Sequence, residues 1–172
     1  TSWYENGQIE IEGNFKDGNI IGIGIRYIEH MKTHCFTEKF EGEFETANYI
    51  KSRAILAMRK GKMTYMGGAP VYEGGFKNDE RDGEGIYRYS NGDCYSGCFF
   101  RNRRHGLGTM KGKFYPPDWD EERIRSIEMT NDNKGTFLRE YTYKGEWKYD
   151  RKSGHGVLTY TNIDKEKAVY DG

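Results

Sequence analysis

The chain has 172 residues, enough for one domain of ordinary size, and is polar: mean hydropathy is −0.97 and only 35% of residues are hydrophobic, yet 15% are aromatic and 23 are glycine. Lys and Arg (27) balance Asp and Glu (27), so no net charge favours nucleic acid, and no apolar run reaches the roughly 18 residues of a membrane-spanning helix. A thick two-layer core needs more aliphatic mass than this, whereas a thin sheet whose rings cover its own glycines does not. No signal or transit pattern opens the chain. Cys94 and Cys98 lie four apart in an expected strand, about 13 Å from each other. That exceeds the roughly 7 Å limit for a disulfide, so a reducing, cytoplasmic setting is expected.

In chain order, the first hairpin opens near Tyr4 and Asn6-Gly7 and runs through Ile11-Glu12-Gly13-Asn14-Phe15 to Gly22-Ile23-Gly24. An insertion near 28–38 follows and holds His30, His34 and Cys35. The second unit starts at Phe40-Glu41-Gly42-Glu43-Phe44; Gly61 supplies its second glycine, and Arg59 stands where the first is expected. Its turn carries inserted residues near 46–58. Ile50, Ala54 and Met58 sit there at helical spacing, and a short helix and an extended hairpin both fit.

The third unit is the reference: Tyr72-Glu73-Gly74-Gly75-Phe76, a polar turn, then Gly83-Glu84-Gly85 with Tyr87 and Tyr89. Tyr72, Gly74 and Phe76 share one strand face, leaving bare backbone for a ring to cover. Asn91-Gly92 reads as a two-residue turn wanting positive φ. The fourth unit is Tyr95-Ser96-Gly97-Cys98-Phe99, with Gly106-Leu107-Gly108. A long insertion, 113–140, follows; Pro116-Pro117 breaks any strand, and the stretch around Trp119 and Ile124 reads as a short helix with acids first and arginines later. The fifth unit is Tyr143-Lys144-Gly145-Glu146-Trp147 with Gly154-His155-Gly156, and Tyr170-Asp171-Gly172 begins a sixth.

Tyr95 repeats Tyr72 after 23 residues, and the step from ring to glycine is 7 residues at Phe15–Gly22, Phe76–Gly83, Phe99–Gly106 and Trp147–Gly154. A spacing kept four times is an internal repeat. These residues resemble the MORN (membrane occupation and recognition nexus) repeat, with its Tyr-x-Gly-x-Phe/Trp opening and its His-Gly-x-Gly, present here as His105-Gly106-Leu107-Gly108. The departures are Arg59, His155 between its glycines rather than before them, and the insertions. The resemblance implies an all-β fold, an elongated single-layer antiparallel meander of hairpins. It makes 1–172 a single domain of about five repeats plus the start of a sixth, with short helical or loop insertions. It also implies a non-catalytic scaffold for protein–protein interaction in a cytoskeletal or ciliary assembly. Family members also contact membranes or form the regulatory region of a larger enzyme, a lysine methyltransferase or phosphoinositide kinase.

No nucleophile–base signature stands out, and the glycines lack the spacing and following helix of a phosphate cradle. The histidines and cysteines do not supply four zinc ligands, so no metal or cofactor is expected. The partner-binding candidates are Tyr87, Tyr89, Trp119 and Ile124, although such rings also serve simply to cover strand glycines. Arg101, Arg103 and Arg104 cluster in one turn as candidates for anionic lipid, against the reading of a solvated turn. Strands at Ile11 and at Tyr143 to Trp147 are expected to be open edges on which a second copy could pair.

Overall fold

The computed structural model describes residues 1–3, 5, 8–16, 19–29, 36–46, 56–65, 67, 70–114, 139–161 and 167–171. They form twelve strands: β1 (Ser2–Trp3), β2 (Ile9–Lys16), β3 (Asn19–Glu29), β4 (Phe36–Thr46), β5 (Leu56–Tyr65), β6 (Val71–Lys77), β7 (Glu80–Arg88), β8 (Cys94–Phe100), β9 (Arg103–Phe114), β10 (Arg139–Lys148), β11 (Arg151–Thr161) and β12 (Lys167–Asp171). Each strand pairs antiparallel with the next in one open sheet. No helix occurs among the described residues. The fold is thus the all-β, single-layer antiparallel meander that the repeat implies.

One register line runs through the sheet. Gly13, Gly24, Gly42, Gly61, Gly74, Gly85, Gly97, Gly108, Gly145 and Gly156 are each directly opposite the next. This row has the same cause in each hairpin. A ring or branched side chain lies over the glycines, so a Cβ would collide with it: at Gly85 with Tyr72 Cζ, 2.6 Å away, at Gly156 with Tyr143 Cε2, 2.6 Å away, and at Gly61 with Phe40 Cε2, 2.7 Å away. In the first hairpin Ile20 takes the covering role.

The rings themselves form an unbroken edge-to-face chain: Phe44, Phe40, Phe76, Tyr72, Phe99, Tyr95, Trp147, Tyr143. Successive centroids are 5.1–5.4 Å apart and planes cross at 78–88°, the geometry that ring quadrupoles favour. With Ile11, Ile20, Met58, Met63 and Met110 these rings are the core. It occupies one face of the sheet, the core face.

Two details of the hairpins differ from the expected turn chemistry. The two-residue turns with positive φ at both positions are Asn78-Asp79, Arg101-Asn102 and Tyr149-Asp150. Asn91-Gly92 is instead part of a three-residue loop: Gly92 N–H donates to Tyr89 O, Tyr89 N–H donates to Asp93 O, and only Gly92 has positive φ. Second, the first glycine of each Gly-x-Gly is a bulge residue. Gly83 (φ 80°) sits where β7 has two more residues than β6 between their paired positions, and Gly22, Gly106 and Gly154 repeat this. At Arg59 φ is not positive and the bulge is one residue shorter, since Glu43 pairs Lys60 and Phe44 pairs Met58. A non-glycine fits there because the backbone no longer needs the left-handed region.

The expected open edges are not edges. Ile11 lies in β2, between β1 and β3, and Tyr143 to Trp147 lie in β10, between β9 and β11. The outermost strands among the described residues are β1 and β12. The insertions are also narrower than expected at their ends. Ile28 pairs with Glu38, Thr46 with Leu56, and Lys113 with Glu140, so strand pairing continues into each. Met58, assigned to a helical spacing, is a strand residue packed opposite Phe44. Tyr4, Asn6-Gly7, His30, His34, Cys35, Ile50, Ala54, Pro116-Pro117, Trp119 and Ile124 lie outside the described residues. Cys94 and Cys98 are free thiols.

Candidate functional site

The repeat places its chemistry on two faces and one row of turns. On the core face, alternation from Tyr72 brings Tyr87 and Tyr95 into one cross-strand row with Met110 and Tyr143. Three tyrosine hydroxyls are tied down identically. Tyr72 donates to Gly75 O at 2.9 Å, Tyr95 to Cys98 O at 2.9 Å, and Tyr143 to Glu146 O at 3.1 Å. Burial pushes the Tyr72 and Tyr95 hydroxyls well above the ordinary tyrosine range, with nearby Arg81 and Arg104 respectively acting in opposition. These rings are committed to the fold. Tyr87 and Tyr89 are half-buried: Tyr87 packs on Tyr72 and carries the Arg81 guanidinium 4.7 Å from its ring centre, and Tyr89 stacks on Tyr87 at 4.6 Å.

The turns reach backwards. Asn102 Oδ1 accepts Arg81 N–H at 2.8 Å and Arg81 Nε–H at 3.3 Å, Arg81 Nη2 donates to Asn102 O at 2.8 Å, and Asn102 N–H donates to Arg81 O at 3.0 Å. One hairpin later, Asp150 holds Arg104 by the same four contacts, at 2.9–3.0 Å. One hairpin earlier, Asp79 accepts Met58 N–H at 3.3 Å and pairs with Arg26 at 3.5 Å. Each of these three turns therefore clasps the return strand of the hairpin before it, and Asp79 also reaches β3, one hairpin further back. The clasped arginines also stack on the ladder, Arg104 at 4.5 Å from the Trp147 ring centre. The repeat motif does not predict these clasps, although the sequence carries a signal for them: Asp79-Glu80-Arg81, Asn102-Arg103-Arg104 and Asp150-Arg151-Lys152 share an amide or acid two residues before a base.

The clasp separates the three candidate arginines. Arg104 turns to the core face and is occupied by Asp150. Arg101 and Arg103 are exposed on the opposite, outer side, where Arg101 stacks on Phe100 at 5.3 Å and Arg103 on Tyr149 at 5.9 Å. His105 packs between Phe100 (5.7 Å) and Tyr149 (5.0 Å). Phe100 and Tyr149 were not singled out in the sequence, since neither falls on a repeat position.

The outer face is otherwise open. A shallow groove of about 710 Å³ follows the glycine row over β4 to β8, lined by Glu41, Lys60, Lys62, Glu73, Glu84 and Ile86. A second hollow of about 530 Å³ continues it over β2 to β4 past Ile23 and Ile25. Ile23 and Leu107 are the most exposed large apolar residues described, at 78% and 68%. Among the described residues no cluster of three or more His, Cys, Asp or Glu is placed to hold a metal ion.

The comparisons with known proteins agree with this architecture. The MORN repeat model matches residues 72–94, 95–113 and 143–162. Alsin from Homo sapiens and from Mus musculus is 31% identical over 87 residues, 51% of this chain and 4% of Alsin. MORN repeat-containing protein 3 from Xenopus laevis is 32% identical over 78 residues, 41% of this chain and 32% of that protein. The similar stretch is thus a minor part of each relative.

Proposed function

The chain is a MORN-repeat protein, and from that premise we propose that it is a non-catalytic scaffold that docks other proteins along its sheet, in a cytoskeletal or ciliary assembly in the cytoplasm. Members of this repeat family serve generally in protein or lipid interaction. The observation that carries the protein-docking reading is the division of labour between faces. The core face is spent on the ring ladder and its clasps, whereas the outer face keeps a continuous groove and exposed Ile23 and Leu107. Exposed apolar groups beside fixed charges are the usual makings of a protein contact.

The test is detergent extraction of the source cell followed by in-cell crosslinking of the full chain. Retention in the insoluble cytoskeleton, with protein crosslinks on the outer face, supports the reading. Release with the membranes and no protein crosslinks rejects it.

A second reading is a membrane-apposing module, supported by the exposed cations at the turn of β8 and β9. Sedimentation with phosphoinositide-containing vesicles that is lost in Arg101→Glu/Arg103→Glu would support it; vesicle binding unchanged in that variant would remove this turn as the contact. The regulatory region of a larger enzyme, a lysine methyltransferase or phosphoinositide kinase, is a third reading. The match to a minor part of the much longer Alsin supports the general idea of such repeats within a longer chain.

A further inference from the structure

We propose that the outer side of the turns joining β8–β9 and β10–β11 is a docking site for an acidic segment of a partner protein. The inference rests on the protein-docking reading and gives it a place and a chemistry. Strand alternation sends Phe100, Arg103, His105 and Leu107 to the outer face, because Phe99 and Arg104 are on the core face. The same alternation in the next hairpin sends Lys148 and Arg151 outward, paired with each other beside the Tyr149-Asp150 turn. Two turns from different hairpins thus bring together Arg101, Arg103, Lys148 and Arg151 around the Phe100, His105 and Tyr149 rings, whose ring centres lie 5.0–6.5 Å apart.

Two observations make this more than a solvated turn. The acid within the patch, Asp150, is already neutralised by Arg104 from the other face, at 3.0 Å. The nearby Glu146 is turned to the His155 amide, which donates to it at 3.3 Å. Among the described residues no salt bridge joins Arg101, Arg103, Lys148 or Arg151 to a carboxylate. The second observation is placement. The Arg101 guanidinium carbon lies 5.3 Å from the Phe100 ring centre and that of Arg103 5.9 Å from the Tyr149 ring centre, so both cations sit beside apolar ring surface. Planar guanidinium donors suit paired carboxylates, which accept two parallel N–H bonds.

The rings favour a peptide over a bilayer. Phe100 is 38% exposed and Tyr149 45%, and both lie packed against His105 rather than projecting as a wedge. A half-exposed ring cluster beside planar cationic donors fits an extended chain carrying acids and an occasional apolar side chain. Leu107, further along the same face of β9, extends the apolar strip.

The test uses the full chain and a fluorescent synthetic peptide of alternating glutamate and leucine, with a lysine–leucine peptide and phosphatidylserine vesicles as the other two probes. The glutamate peptide is expected to bind, and to shift backbone amide NMR signals at Phe100, Arg103, Tyr149 and Arg151. Arg101→Gln/Arg103→Gln should weaken binding at least tenfold. Arg101→Lys/Arg103→Lys, which keeps charge but loses the planar fork, should recover only part of it. Lys16→Gln/Lys77→Gln, an equal charge change at the ends of β2 and β6, outside both the patch and the groove, should leave binding within twofold; thermal unfolding confirms that each variant folds. Equal weakening by the two glutamine pairs would reduce the effect to diffuse charge and overturn the proposal, as would binding to vesicles and not to the peptide. If the peptide fails while protein crosslinks persist elsewhere on the outer face, this site falls and the docking reading stands. If both fail, both fall.

Discussion

Arg104 and Asp150, 46 residues apart in sequence, share four hydrogen bonds of 2.9–3.0 Å, two of them accepted by one carboxylate oxygen. The pair couples two hairpins separated by the long insertion. Because Asn102 makes the same contacts to Arg81 without a charge, the clasp depends on an oxygen acceptor at a left-handed turn position more than on an ion pair. Asp150→Asn should therefore cost less than about 0.5 kcal/mol, the surface ion-pair part. Asp150→Gly keeps the φ of 68° but loses the acceptor, and should cost about 1–2 kcal/mol. Asp150→Ala should cost more still, since alanine resists that φ. Chemical denaturation of the three variants gives the ranking; equal losses for asparagine and glycine would show that charge, not geometry, holds the clasp.

The glycine row predicts a coupling of unusual sign. All three atoms nearest to an added Cβ at Gly85 belong to the Tyr72 side chain. Gly85→Ala should destabilise by about 2–4 kcal/mol through forced displacement of a core ring. In a Tyr72→Leu background the same change should cost at least about 1 kcal/mol less, because the obstructing ring is gone. At Gly83 open space surrounds the added carbon and only the φ of 80° resists it, so Gly83→Ala should cost about 1 kcal/mol and be insensitive to Tyr72. The readout is a double-mutant cycle by urea denaturation.

Removing a single ladder hydroxyl tests the tyrosine anchors. Tyr72→Phe loses the 2.9 Å bond to Gly75 O and leaves that carbonyl without this donor. About 1–2 kcal/mol should be lost. The ring position tolerates phenylalanine, as Phe40 demonstrates in the second hairpin. A thermal melt of Tyr72→Phe and Tyr95→Phe should give similar losses, and a change near zero would mean that water replaces the hydroxyl at no cost.

High pH should unfold the protein steeply. Burial raises the hydroxyls of Tyr65, Tyr72, Tyr89, Tyr95 and Tyr141 above the ordinary 10.0. Above that value the unfolded chain has lost these protons and the folded chain still binds them, so stability falls as pH rises. Burial also raises the Glu38 carboxyl, which works in the same direction from about pH 4.5 upward. Glu38→Gln should remove this acid-range slope and leave the alkaline one, and Tyr72→Phe should reduce the alkaline slope. Denaturant midpoints across pH measure both.

How much could be read beforehand follows from where each feature is encoded. The hairpins at Tyr72, Tyr95 and Tyr143 were legible because a ring, a glycine and a second ring alternate within five residues, and alternation fixes a strand face directly. The partnership of Gly61 with Gly42 was legible too, even with Arg59 out of pattern, because register is set by the residue that must be bare rather than by the bulge. Asn91-Gly92 misled because the dipeptide serves equally in a two-residue turn and as the end of a three-residue loop; the closing bond to Tyr89 decides between them. The clasps were not read because each joins residues of different hairpins, and only the finished register tells which turn faces which arginine. Arg101 and Arg104 look equivalent in sequence for the same reason. Their separation to opposite faces is fixed by β9 starting at Arg103, directly after the turn.

The clasps also give the sheet a direction. On this row of turns the three described clasps all run from a turn back to the hairpin before it, as Asp79 does to Met58, Asn102 to Arg81 and Asp150 to Arg104. A meander of antiparallel strands has no sense of its own, since its strands run alternately up and down. The clasps supply one: each of these hairpins lends an acceptor to its predecessor, so the register of one unit is handed on to the next like a zip closed tooth by tooth.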